Sequence, residues 1–68
     1  MNKQQKNAIF RRVYEAVFDY EYAQIDGFGM NLEIKQARRN GFPEEELHEA
    51  IQRAKASAQQ MREQGFLS

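Results

Sequence analysis

Glu45 and His48 come nearest to a chemical site in this 68-residue chain. A Glu-x-x-His pair on a helix supplies ligands to the di-iron centres of helical bundles, which also need a glutamate from each of two further helices. With about 100° between successive helical residues, His48 lies about 100° and Glu45 about 160° from Leu47, the centre of the apolar side of their helix. Both side chains are therefore expected to face water. We predict no metal and no other cofactor.

Residues that could act as a nucleophile are scarce. The chain has no cysteine and one histidine, and its serines are Ser57, within a predicted helix, and Ser68. A serine nucleophile needs an adjacent base that a third group orients, and this composition offers no such set. A pair of carboxylates for acid–base catalysis needs a concave pocket, for which a short helical chain has little room. We therefore predict no enzyme activity, no catalytic residues and no small-molecule substrate.

The ten basic and ten acidic side chains give a formal net charge of zero. This balance removes the usual electrostatic argument for binding nucleic acid or a membrane surface. The first apolar residues are interrupted by Arg11, Arg12 and Glu15, so this segment is typical of neither a secretory signal nor a membrane span. We expect a cytoplasmic protein of a bacterium or a phage, with no membrane partner.

Glycine residues separate the first two of three predicted helices. The first helix covers about residues 3–25, and the segment Gly27-Phe28-Gly29 ends it, with Gly29 predicted to lie outside any helix. Asn31 can cap a short second helix over about residues 31–39 through its side-chain oxygen. Gly41 then fits the left-handed position that commonly follows a helix.

The third predicted helix covers about residues 43–64 and has an apolar face rich in alanine. Pro43 suits its first turn, and Gly65 is expected to end it. The predicted fold is one all-α domain of residues 1–68, a small three-helix domain in which a long, a short and a long helix follow one another. We expect helices 1 and 3 to be antiparallel, with helix 2 across one end, and two copies to dimerise into a helical bundle. The apolar face consists of Leu47, Ala50, Ile51, Ala54, Ala58 and Met61.

The first helix is more apolar than the rest of the chain can cover. About two thirds of the residues from Ala8 to Ile25 are apolar or aromatic, and they occupy about 220° of the helical circumference. An alanine-lined helix and a short helix can cover about two thirds of that arc. The remainder predicts a surface for a partner. The candidate contact residues are Phe10, Tyr14, Val17, Phe18, Tyr22 and Ile25.

These features predict a non-enzymatic protein–protein interaction module. Such a protein would be a small regulator, inhibitor or adaptor that acts through the aromatic face of helix 1 and self-associates. Its partner would be a second copy of the chain, as a homodimer, or another protein. An alternative also stays open, in which the aromatic side chains only complete the core.

A helix-turn-helix over residues 34–54 is the alternative function. Ala37, Gly41 and Leu47 have the spacing of two helices that pack across a tight turn, which favours a DNA-binding regulator. However, the start of the second helix, which would enter the major groove, is the acidic run 44–46, and its carboxylates would repel phosphate. The sequence therefore disfavours nucleic acid as the partner, and DNA binding stays the alternative prediction.

Overall fold

The computed structural model describes residues 1–23 and 27–67, and three α-helices make up most of that part of the chain. Helix α1 spans Lys3–Ala23, α2 spans Phe28–Arg39 and α3 spans Glu44–Leu67. The predicted all-α fold with a long, a short and a long helix is confirmed. The predicted end of the first helix, at Ile25, lies outside the described residues. Within the described part, no helix is long and apolar enough to cross a bilayer.

Helix α2 begins at Phe28, earlier than predicted. The N–H of Asn31 donates to the carbonyl oxygen of Gly27 at 2.9 Å, so Asn31 lies inside the first turn and is not the N-cap. Gly27 is the N-cap, without a side-chain hydrogen bond. The predicted start was wrong because Gly29 does not break the helix: its helix propensity is only about 1 kcal/mol less favourable than that of alanine, and tertiary packing readily overrides a difference of this size.

The joint between α2 and α3 has the backbone predicted for it. Gly41 is left-handed, with φ of 81°. Its N–H donates to the Arg38 carbonyl and that of Phe42 donates to the Ala37 carbonyl, both at 3.0 Å. This pair of bonds is a Schellman motif, which is completed by a hydrophobic contact between the residues at its two ends. Ala37 and Phe42 both belong to the buried core cluster, so this contact anchors the joint to the core while Gly41 itself stays exposed.

The sequence predicts that helix α3 ends at Gly65, but this prediction is wrong. The helix continues through that residue to Leu67. Of the described glycines only Gly41 has a positive φ, so Gly65 keeps an ordinary helical backbone. A glycine inside a helix costs about 1 kcal/mol, which the rest of a long helix readily offsets.

Helices α1 and α3 run in the same direction, which corrects the predicted antiparallel pairing. Near their starts, Lys6 Nζ lies 3.7 Å from Glu46 Oε1. Further along both helices, Arg62 Nη1 donates to the carbonyl oxygen of Glu21 at 3.5 Å. Residue numbers therefore rise together on the two helices.

The position of α2 explains this direction. Gly27 lies against the ring of Tyr20, and Arg12 Nε lies 3.4 Å from Glu33 Oε2, so α2 runs back along α1 instead of crossing its end. Its 12 residues span about 18 Å at 1.5 Å per residue. The chain is thus carried back toward the start of α1 before α3 begins, and two reversals restore the original direction.

The core lies mainly along the seam between α1 and α3. Val13 and Val17 of α1 are buried in one cluster with Leu47, Ala50 and Ala54 of α3. Met61, which the sequence placed on that face, is 48% exposed, and Ile51 is only partly buried. Small side chains allow the two helices to approach closely. The buried residues of the α3 face are Leu47, Ala50, Ala54 and Ala58.

Candidate functional site

Three stacked rings follow one side of α1. Tyr14 and Phe18 have ring centroids 6.3 Å apart with 14° between the ring planes. Phe18 and Tyr22 follow at 5.6 Å and 11°. Residues four apart lie one above the other on a helix, and centroid separations of about 4.5–7 Å are those of favourable aromatic pairs. We call these three residues the aromatic row.

The aromatic row becomes more exposed toward the end of α1. Tyr14 and Phe18 are partly buried and pack against the core cluster, whereas Tyr22 is 45% exposed. The hydroxyl of Tyr14 donates to Ser57 Oγ of α3 at 2.8 Å. Because the helices are parallel, Met61, one turn after Ser57, lies about level with Phe18, one turn after Tyr14. The row therefore borders the α1–α3 seam and ends on an apolar surface that includes Met61.

Helix α2 covers the other side of α1. Tyr20 lies two residues before Tyr22 and hence about 160° from it around the helix. An added Cβ at Gly27 of α2 would lie 3.2 Å from Tyr20 Cε2. The aromatic row thus lies on the side of α1 away from α2.

Phe10 continues the four-residue spacing of the row toward the start of α1 but has a different environment. Its ring is partly buried against the core and lines an open groove of about 410 Å³. Phe42, Lys6 and Glu46 line the same groove, which lies at the opposite end of the helix pair from Tyr22. Phe10 stays a contact prediction, with less ring surface available to a partner than Tyr22.

One predicted contact residue is corrected, and another is not tested. Val17 is 0% exposed, so a partner cannot touch it in this fold, and its assignment as a contact residue is corrected. The helical wheel predicts the side of α1 on which Val17 lies, but it does not predict which helix packs against that side. In the structure α3 packs there. Ile25 lies outside the described residues. Met61 was missed as a surface residue because its angle on α3 is that of the buried alanines.

Several arginines that could contact phosphates, if the protein bound DNA, are already beside carboxylates. Such exposed pairs contribute only about 0–1 kcal/mol each, so phosphate could compete for them. Nevertheless, Glu45 is exposed and belongs to none of these pairs, and it places a negative charge at the start of α3, the part that a helix-turn-helix inserts into the groove. The DNA-binding alternative stays a prediction that this arrangement does not favour. The pairs are Arg11–Glu15 at 3.0 Å, Arg12–Glu33 at 3.4 Å, Arg38–Glu44 at 2.9 Å and Arg53–Glu49 at 2.6 Å.

The Glu-x-x-His pair lies on the solvent side of α3. Glu45 and His48 are both exposed, as the helical wheel predicted. Among the described residues, no three histidine, aspartate or glutamate side chains are grouped closely enough to hold a metal ion. The further glutamates that a di-iron site requires are therefore not brought to this pair within that part of the chain.

Comparison with known proteins adds no family. No family model matches the chain, and no curated protein or solved structure shows significant similarity to it. The fold and the surface define a class: a small three-helix protein with a partly exposed aromatic row.

The hydrogen bond between Tyr14 and Ser57 is expected to stabilise the seam beneath the aromatic row. Tyr14→Phe should lower the free energy of unfolding by about 1 kcal/mol, because the part-buried hydroxyl of Ser57 loses its partner. Urea denaturation measures the loss. Ser57→Ala should have a similar effect, and the double variant should be less destabilised than the sum of the two. Tyr22→Phe, at an exposed ring, is the control; an equal loss there would contradict the assignment.

Proposed function

We propose that this protein is a non-enzymatic interaction module that self-associates through the aromatic row and Met61. The observation that carries the proposal is the exposure of apolar side chains at the end of the α1–α3 seam. Tyr22 is 45% and Met61 48% exposed there, and the ring of Tyr22 already stacks on that of Phe18. A pre-stacked row loses little conformational entropy when a partner covers it.

The chemistry of the row suits a protein partner. A tyrosine ring favours burial while its hydroxyl favours water or a polar group, and tyrosine and methionine are enriched at protein interfaces. A chain of 68 residues also buries a small core, and oligomerisation is one of the common ways in which such chains gain stability. Both arguments support an interface over a purely structural role for the exposed rings.

The charges of α1 support a second copy as the partner. The first half of the helix is basic and the second half is acidic. If two α1 helices pair antiparallel about a two-fold axis, each basic half lies beside an acidic half. Parallel pairing would bring like charges together. The basic residues are Lys3, Lys6, Arg11 and Arg12, and the acidic residues are Glu15, Asp19 and Glu21.

The biological role that fits such a surface is that of a small regulator, inhibitor or adaptor. Proteins of this kind act by occupying a surface on another macromolecule and need no reaction centre. We place this activity in the cytoplasm as part of the same proposal. Dimerisation would then either form the working unit or hide the aromatic row until a different protein displaces the second copy.

Tyr22→Glu should convert the protein into a folded monomer. Light scattering after size exclusion should show a dimer for the wild type at micromolar concentration, and dimerisation of the variant should be weaker by at least about tenfold, since each dimer loses two exposed rings. Circular dichroism should show unchanged helix content. Tyr22 is preferred to Phe18 for this test because Phe18 packs against the core, where glutamate would also affect folding.

Phe28→Glu provides a matched control. Phe28 is 76% exposed and lies on α2, away from the aromatic row, so its replacement should leave the dimer intact. A wild-type protein that stays monomeric at high concentration would overturn self-association. A dimer that survives Tyr22→Glu but dissociates with Phe28→Glu would move the interface to α2.

A further inference from the structure

The outward face of α2 carries a second exposed stripe of defined spacing. Phe28 is 76% and Leu32 43% exposed, and Lys35 and Arg39 are also exposed. The side of α2 that packs toward α1 includes buried Ala37, which lies about 180° from the middle of these four residues on the helical wheel. We call the four residues the α2 stripe.

The spacing of the α2 stripe is that of a helix-pairing seam. Its members follow one another at intervals of four, three and four residues, the pattern with which one α-helix meets another along a narrow contact. Phe28 and Leu32 form an apolar half, and Lys35 and Arg39 form a basic half. A helix that lies along this stripe would meet two different chemistries in order.

The basic half is available to a partner. None of the ion pairs among the described residues uses Lys35 or Arg39. A position near the C-terminal end of a helix, where the helix dipole favours a cation, accounts for Arg39. It does not account for Lys35, a full turn earlier, or for a phenylalanine that is 76% exposed.

We infer that the α2 stripe binds a helix of another protein that carries two apolar residues followed along its axis by two acidic residues. Charge complementarity selects this partner: its carboxylates would lie beside Lys35 and Arg39 while its apolar side chains cover Phe28 and Leu32. The surface is separate from the aromatic row, so this inference does not depend on self-association.

Other occupants fit the α2 stripe less well. Two copies of α2 in parallel would place basic residues opposite each other, and in antiparallel would place basic residues opposite apolar ones. A helix that lies on a membrane needs a broad apolar face, whereas the stripe has only Phe28 and Leu32 on a 12-residue helix. Nucleic acid would use Lys35 and Arg39 but would leave Leu32 without a complementary group.

The test uses isotope-labelled full-length protein and synthetic helical peptides built on alanine. Two peptides carry two leucines and two glutamates at four-three-four spacing, one in each chain direction, and matched peptides carry lysine in place of glutamate. Amide shifts should change at residues 28–39 with a glutamate peptide, and the matching lysine peptide should bind at least about fivefold more weakly.

A charge exchange gives the decisive comparison. The double variant Lys35→Glu and Arg39→Glu should reverse the preference and bind the lysine peptide more tightly. The double variant Lys3→Glu and Arg11→Glu, an equal charge change on α1, should not. Equal binding of both peptide types, no saturable binding, or shifts confined to the aromatic row would overturn the inference. Tighter binding to phosphatidylserine vesicles or to a single-stranded oligonucleotide would overturn it in favour of those partners.

Discussion

Replacement of Val17 by aspartate is expected to leave the chain unfolded at about 25 °C, since Val17 is 0% exposed in the seam between α1 and α3. A buried carboxylate without a partner costs several kcal/mol. At about 0.05–0.15 kcal/mol per residue, a chain of 68 residues has only about 3–10 kcal/mol of total stability. The two quantities are of the same size, so the substitution should remove the cooperative thermal transition and most of the helical circular dichroism signal.

Ala8→Asp is the matched control for Val17→Asp. Ala8 is exposed on the same helix, so its aspartate keeps its hydration and the variant should melt close to the wild type. A well-folded Val17→Asp protein would mean that α3 does not seal this side of α1. The predicted contact at Val17 would then become possible again.

Leu47→Ala is expected to have the second largest effect, a loss of about 2–5 kcal/mol in the free energy of unfolding. Leu47 is 1% exposed and is among the largest fully buried side chains, in one cluster with Phe42 and Val13. Its truncation removes apolar contacts and leaves a cavity where α3 begins. Urea denaturation should show a lower midpoint with a nearly unchanged slope, the sign of lost stability without a change in the unfolding reaction.

Leu32→Ala gives the comparison within the same residue type. Leu32 is 43% exposed on α2, so the same truncation should change the free energy of unfolding by no more than about 0.5 kcal/mol. If the two leucine variants were equally destabilised, Leu47 could not be buried in the core while Leu32 is exposed. A large loss for Leu32 alone would place the core on the opposite side of α2.

Local rules predicted the joints of the chain unevenly. Gly41 was predicted correctly because the joint requires a left-handed backbone at this position, and the neighbouring residues supply the two hydrogen bonds of the motif. Gly29 and Gly65 were misjudged because a glycine is only a weak obstacle inside a helix. The difference lies between a position that requires glycine and one that merely tolerates it.

The candidate surface was predicted in part. The spacing of Tyr14, Phe18 and Tyr22 placed them on one side of α1, and the structure shows their rings stacked there. The wheel also assigned Val17 to the partner surface, although it is fully buried, and assigned Met61 to the core, although it is half exposed. A helical wheel gives the side of the helix on which a residue lies. It does not say which neighbouring helix packs against that side, or how far along the helix this packing extends.

The sequence by itself determined three helices, the alanine face of α3 and the left-handed joint at Gly41, because helical period and backbone φ depend on residues close together in the chain. Only the tertiary structure decided that α2 returns along α1, that α3 therefore runs parallel to α1, and that the aromatic row is covered at Tyr14 and open at Tyr22. These outcomes depend on contacts between residues far apart in the chain, such as Tyr14 with Ser57, which local periodicity does not contain.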